Sequence, residues 1–213
     1  MNILIIAAHP DDEVLGMGAT IKKLSKTNNV SLLVVSEGAS SQYDDKKMIS
    51  VRHNACLKSS KFLGIKNVKF LDFPDMKLDT IPHVELNKKI EIIIQKLKPK
   101  IIYSPPENDL NLDHQLVFNS TLIASRPHTS SVESLYCYEL PGLVKKPFNP
   151  NVYVNIEKEF ESKTKAFKFY KSEVMNFPHP RSIKAIENLA IQRGIESGLK
   201  KAESFNLIKM IQN

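Results

Sequence analysis

The chain has 213 residues, 42% of them hydrophobic and 25% charged, with no tryptophan and a formal net charge of +7. That length can bury a substantial core within one domain, and the ordinary balance of apolar and charged residues excludes a disordered or fibrous chain. The excess charge is mostly lysine spread along the sequence, without the clustered arginine and aromatic stripe of a nucleic-acid surface, so nucleic acid is not an expected partner.

In chain order, NILIIAA (2–8) is a continuous apolar run, as expected for a strand covered on both faces. Helical spacing follows over 14–27, with Val14, Leu15, Ile21 and Leu24 available for one face. VSLLVVS (30–36) reads as a second buried strand, and a polar stretch leads to a helix over about 48–63 that stops at Gly64. NVKFLDF (67–73) is a third strand. Val84, Leu86, Ile90, Ile93, Ile94 and Leu97 recur at helical periods before Pro99, KIIYS (100–104) is a fourth strand, and residues 113–124 form a fourth helix. Four alternations of strand and helix predict a single Rossmann-like α/β domain over 1–213, its mostly parallel sheet flanked by helices. Beyond Pro127, SLYCYEL (134–140) and NVYVNI (151–156) read as further strands joined by a loop bearing Pro and Gly. Two helices are expected near 157–172 and 182–210.

Two polar clusters interrupt this pattern. HPDDE (9–13) follows the first strand and ENDLNLDHQ (107–115) follows the fourth. Ligands of open α/β sheets bind beyond the carboxyl ends of the strands, so the clusters should converge on one edge. His9, Asp12 and His114 would give a metal two imidazoles and a carboxylate with one position open, a donor set that suits catalytic Zn²⁺ and also accepts Fe²⁺ or Co²⁺. Asp11, adjacent to the ligands, is the candidate general base for a metal-activated water. Taken singly, Asp11 or Asp12 also fits a helix cap, and Glu13 fits a first-turn residue facing the helix dipole. Gly16 and Gly18 lie inside the predicted helix, behind carboxylates that would repel phosphate, so a dinucleotide-binding turn is excluded.

The AHPDDEVLGMGATI stretch resembles the leading motif of the LmbE/PIG-L-like zinc-dependent N-deacetylases, and NLDHQLVF stands where that family has its HxDH motif. The resemblance spans at least residues 1–127, with weaker similarity in FPHPRS (177–182) and in the RG…G…AESF pattern (193–205). It implies zinc on His9, Asp12 and His114, Asp11 as base, and removal of an acetyl or related acyl group from the nitrogen of an amino sugar or its nucleotide or lipid conjugate. The alternatives are an amidase for a non-sugar acyl-amine and a non-catalytic carbohydrate-binding relative. Where many members carry the first histidine of HxDH, this sequence has Asn111, which can donate a hydrogen bond to an oxyanion but cannot deliver a proton. The proton for the leaving amine then returns from Asp11 or comes from His179 in FPHPRS. Asp113 would orient a histidine or a loop.

Arg52 matches an arginine the family often uses near substrate, and Arg181, Arg126 and Arg193 are further candidates for gripping hydroxyl or phosphate groups. Asp72 and Asp75 flank Pro74 on the same sheet edge and fit either sugar contacts or a turn. Pro105 and Pro106 stiffen the loop after the fourth strand, where related sequences often carry histidine. Cys56 and Cys137 are too far apart in sequence for a metal knuckle, and such sparse cysteine suits a reducing cytoplasm. The short apolar start lacks the basic flank of a secretory leader, and no run approaches the roughly 20 apolar residues of a membrane helix. A cytoplasmic protein is expected, with a small-molecule amino-sugar partner and room for a homo-oligomer.

Overall fold

A computed structural model describes residues 1–142 and 145–212; the loop predicted between the fifth and sixth strands lies partly outside them. Its elements are β1 (Asn2–Ala7), α1 (Asp12–Leu24), β2 (Asn29–Ser36), α2 (Lys47–Leu63), β3 (Asn67–Phe73), a 3-10 turn (Leu78–Thr80), α3 (His83–Leu97), β4 (Ile101–Ser104), α4 (Leu112–Ala124), β5 (Ser134–Tyr138), β6 (Val152–Asn155), α5 (Phe160–Phe167), α6 (Ile183–Ser197) and β7 (Ala202–Met210). They form a single α/β domain around a seven-stranded sheet ordered β3-β2-β1-β4-β5-β7-β6. β1 to β5 are mutually parallel, and β7 runs antiparallel between β5 and β6.

The continuous apolar run of β1 has the expected cause, since both faces are covered. Ile3, Ile5 and Ala7 join a core with residues of α1, α2, α5 and α6, while Leu4, Ile6 and Ala8 face α3 and α4. The chain goes outward from β1 through β2 to β3, then returns to place β4 on the other side of β1. The resulting switch point lies between β1 and β4, where a crevice opens beyond the carboxyl ends of the strands. HPDDE leaves β1 and ENDLNLDHQ leaves β4, so the topology puts both polar clusters on that crevice.

The helix expected over 182–210 is corrected by the structure. It runs only from Ile183 to Ser197, and β7 follows. Ser182 caps its start by accepting from the Ala185 N–H at 3.1 Å, and Gly198, at φ 72°, ends it in the left-handed region that favours glycine. Beyond the stop, pairing with β5 and β6 on both sides overrides the helical spacing of Leu207, Ile208 and Ile211. The helix near 157–172 is likewise shortened to Phe160–Phe167.

β7 also supports α1. That helix is broken at Met17, whose φ of −146° is not helical, and the Ala19 and Thr20 N–H groups beyond the break donate to the Glu203 carboxylate at 3.1 and 2.7 Å. Lys163 of α5 completes this buried set at 2.7 Å from Glu203. Gly16 lies just before the break because a Cβ there would come within 2.3 Å of the Tyr138 ring. The Gly-Met-Gly run is therefore a close-packing device at the break in α1.

Candidate metal centre and its carboxylates

Residues from three connections, and from the helix starts that follow two of them, meet at the crevice. His9 and Asp12 come from the β1–α1 turn, Asp75 from the loop after β3, and Asp109, Asp113 and His114 from the β4–α4 connection; all six are buried. His9 Nδ1 lies 3.1 Å from His114 Nε2, and Asp12 Oδ2 lies 3.5 Å from the first and 3.4 Å from the second. Ligand atoms held about 2.0–2.1 Å from a tetrahedral zinc stand about 3.3–3.4 Å apart, so this triangle has the spacing of three metal ligands.

The far sides of both imidazoles are held by carboxylates. His9 Nε2 sits 3.2 Å from Asp113 Oδ2 and 3.3 Å from Asp75 Oδ1, and His114 Nδ1 sits 2.8 Å from Asp109 Oδ2. A carboxylate behind each histidine fixes the ring's orientation and tautomer and makes the facing nitrogen a better donor to a metal. Burial alone would push both histidines down. At His9 the bonds to Asp113 and Asp12 outweigh it and raise the pKa to about 9, and at His114 the charges of Asp12 and Asp109 raise it to about 10. Asp12 is held well below the usual carboxylate range, because the histidines outweigh its own burial.

Asp113 also accepts from the Met76 and Leu78 N–H groups at 2.9 and 3.2 Å, so one side chain ties the loop after β3 to His9. Asp75 is braced by Ser41 and by its own N–H, which donates to Glu37 Oε1 at 3.1 Å. Asp72 is exposed and lies near His53, away from this cluster. Asn111 is the N-cap of α4: its Oδ1 accepts from the Asp113 N–H at 2.9 Å, while its Nδ2 reaches only the weakly accepting Met76 Sδ at 3.3 Å.

Asp11 differs from every other carboxylate here. It is fully buried, its φ is 121°, and neither of its oxygens accepts a hydrogen bond among the described residues. Nor does it cap α1. Arg52 Nη2 and Arg181 Nη1 stand 3.4 and 3.9 Å from its two oxygens. Burial pushes the carboxyl up to about 6 against the pull of these two arginines. Glu13 is also fully buried and accepts from Tyr170 Oη at 2.6 Å and from the Asp11 N–H at 3.1 Å. Its burial pushes the carboxyl up to about 8, and from the first turn of α1, where the sequence put it, Glu13 braces the turn from the core side.

The remaining candidates divide. Arg181 is held by Glu173 at 2.6 Å, and Arg52 donates to the Pro10 carbonyl at 2.6 Å. Arg193 is committed to Glu139 and Glu196. Arg126 is exposed beyond the far end of α4, a helix of 13 residues and hence about 20 Å long, so it stands away from the crevice. His179 is exposed, and its Nδ1 accepts from the Arg181 N–H at 3.1 Å. Sequence reasoning missed Asp109, Glu37 and Glu173. Asp109 was within reach, as a carboxylate five residues before His114 in an acidic run after a buried strand. Glu173 carried no local signal.

Residues 4–125, more than half of the chain, match the family profile "PIG-L: GlcNAc-PI de-N-acetylase". The chain belongs to the PIG-L family. It is 30% identical to "Uncharacterized deacetylase YaiS" of Escherichia coli (strain K12), over 80% of this chain and 91% of that protein. It is 25% identical to "Diacetylchitobiose deacetylase" of Thermococcus kodakarensis, over 97% of this chain and 83% of that one. The solved structure of N,N'-diacetylchitobiose deacetylase from Pyrococcus horikoshii superposes with a TM-score of 0.84 at 23% identity, covering 98% of this chain and 84% of that one. This PIG-L-family deacetylase therefore shares its whole architecture with such enzymes, including the C-terminal region beyond the family profile. None of the helices among its described residues is long and apolar enough to cross a membrane.

Proposed function

We propose that the protein is a metal-dependent hydrolase that removes the N-acetyl group from an amino sugar or its conjugate. The observation that carries this reading is the triangle of His9 Nδ1, Asp12 Oδ2 and His114 Nε2, with sides of 3.1–3.5 Å, beside a buried carboxylate whose oxygens accept nothing. A divalent metal such as zinc, held by these three atoms, would act as a Lewis acid and lower the pKa of a bound water. Asp11 is proposed as the general base, because its open lone pairs can take a proton without first breaking a hydrogen bond. Asp75, Asp109 and Asp113 hold the histidines in place. Asn111 Nδ2, spending its donor capacity only on a thioether, is free to donate to a developing oxyanion.

Proton return to the amine is assigned to Asp11. His179 can serve only if it gives up its bond to Arg181, because a proton on Nδ1 would face the Arg181 N–H head to head. Arg52 and Arg181 are proposed to border the substrate on the Asp11 side. The exposed apolar residues Met76, Leu110 and Leu112 around Asn111 favour a sugar carrying an apolar aglycone over a nucleotide conjugate. The test is a panel of N-acetylated amino sugars and their alkyl and nucleotide conjugates, offered to zinc-, iron(II)- and cobalt(II)-loaded protein with detection of free amine. Absence of amine from every member, with metal shown to be bound, refutes the reading.

A further inference from the structure

Arg52 and Arg181 are far apart in sequence, yet both face Asp11. Between them stands Glu173, a buried carboxylate that the reaction as proposed does not use. Its Oε1 is 3.3 Å from Arg52 Nη1, and its Oε2 accepts from Arg181 Nη1 at 2.6 Å. That same Arg181 nitrogen is 3.9 Å from Asp11 Oδ2, beyond hydrogen-bond reach. Arg52 likewise spends its short bond on the Pro10 carbonyl and stays 3.4 Å from Asp11 Oδ1, where no hydrogen bond forms.

Guanidinium and carboxylate groups left to themselves close to about 2.7–2.9 Å, often through two bonds. Two guanidiniums beside a buried carboxylate should therefore occupy it, and here they do not. We propose that Glu173 is a positioning residue that draws the Arg181 guanidinium onto itself, so that both Asp11 oxygens stay open to the water they deprotonate. Ser172 Oγ donates to Glu173 Oε1 at 2.8 Å, and the Glu173 N–H donates to the Tyr170 carbonyl at 2.8 Å, so the carboxylate is anchored. Without its charge, the only carboxylate left near Arg181 among the described residues is Asp11. The inference rests on the proposed role of Asp11 as base. It also makes the segment Tyr170–Arg181, which lies outside the family match of residues 4–125, part of the active site.

The experiment compares Glu173→Gln, Arg181→Ala and the double variant in metal-loaded protein, by steady-state kinetics and by a crystal structure of Glu173→Gln. Glu173→Gln is expected to lower kcat by about tenfold to a hundredfold, the scale of a misplaced catalytic group, with metal content unchanged. Adding Arg181→Ala should recover most of that kcat while KM stays at the value of Arg181→Ala alone. In the crystal structure, Arg181 should have closed to hydrogen-bond distance from Asp11. If Glu173→Gln does not fold, Glu173→Asp, which keeps the charge but retracts it, should give a smaller loss with the same recovery. An Arg181 that stays clear of Asp11 in the Glu173→Gln structure overturns the inference, as does a loss of kcat that Arg181→Ala does not relieve. Wild-type protein that hydrolyses no acetylated sugar refutes the proposed function instead, and the position of Arg181 still decides whether Glu173 holds it away.

Discussion

Replacing Asp11 with Asn should make the metal-free protein more stable while removing most of its activity. Burial raises the Asp11 carboxyl from 3.8 to about 6, so the folded state holds that proton more tightly than the unfolded chain does. Stability from this group is therefore fully present below pH 3.8 and is lost as pH rises to about 6. At 1.36 kcal/mol per pH unit, the ionised carboxylate costs the fold about 3 kcal/mol at neutral pH. Asparagine carries no charge and tolerates positive φ better than most residues, so it escapes that cost without adding strain. For a chain of this size, the gain corresponds to a rise in Tm of roughly 6–12 °C. The measurement is thermal unfolding of both proteins in EDTA at pH 7.5 and pH 4. The difference should be large at the first and nearly absent at the second. Activity of the metal-loaded variant should fall by about 10²–10⁴-fold, since the amide cannot take the proton. A variant no more stable than wild type at pH 7.5, or one that keeps more than a third of its kcat with chemistry rate-limiting, refutes the assignment of Asp11 as a buried, unbonded base.

His9→Ala, Asp12→Ala and His114→Ala should each lose the metal at equilibrium with near-native circular dichroism; full occupancy in any one removes that residue from the ligand set. Metal affinity of the wild type should rise with pH, because the two facing imidazole nitrogens must shed protons to bind, and a titration showing no proton release would contradict this. Glu203→Ala should destabilise the protein by about 3–5 kcal/mol, because it strands the buried Lys163 and frees two N–H groups of α1, and a double variant with Lys163→Met should recover part of that loss in urea unfolding. His179→Ala should leave kcat and the basic limb of the kcat/KM profile nearly unchanged if Asp11 returns the proton; loss or displacement of that limb would assign the step to His179.

The parallel half of the fold was legible because its strands are buried on both faces and its helices carry regular apolar spacing. The carboxyl-edge rule then places His9, Asp12 and His114 together, and the structure has their donor atoms within 3.5 Å of one another. Legibility fails where tertiary pairing decides. β7 carries apolar residues at spacings that also suit a helix, and only the open edges of β5 and β6 select the strand. Nothing in the sequence around Glu173 or Glu203 marks either carboxylate as buried. They are buried because guanidinium, ammonium and freed N–H groups from remote elements surround them, and no local pattern encodes that. Arg126 and Arg193 show the converse: an arginine's chemistry suits a ligand, but one sits at the wrong end of α4 and the other is already saturated by Glu139 and Glu196.

The way the site departs from an optimised fold is itself informative. Asp12, Glu13, Asp75, Asp109, Asp113 and Glu173 are all buried, and each accepts at least one hydrogen bond. Asp11 is buried among them with a strained backbone, and neither of its oxygens accepts a hydrogen bond among the described residues. Strain and an unmet acceptor each cost on the order of 1–3 kcal/mol, and relief is close at hand in Arg52 and Arg181. A network built only for stability would close one of those guanidiniums onto Asp11. Here Pro10 and Glu173 take the arginines' short bonds, and the carboxylate next to the ligand triangle stays open. A group held open at that cost, with both arginines within 4 Å of it, is placed to accept something the protein does not itself supply, and in the proposed reaction that is the proton of a metal-activated water.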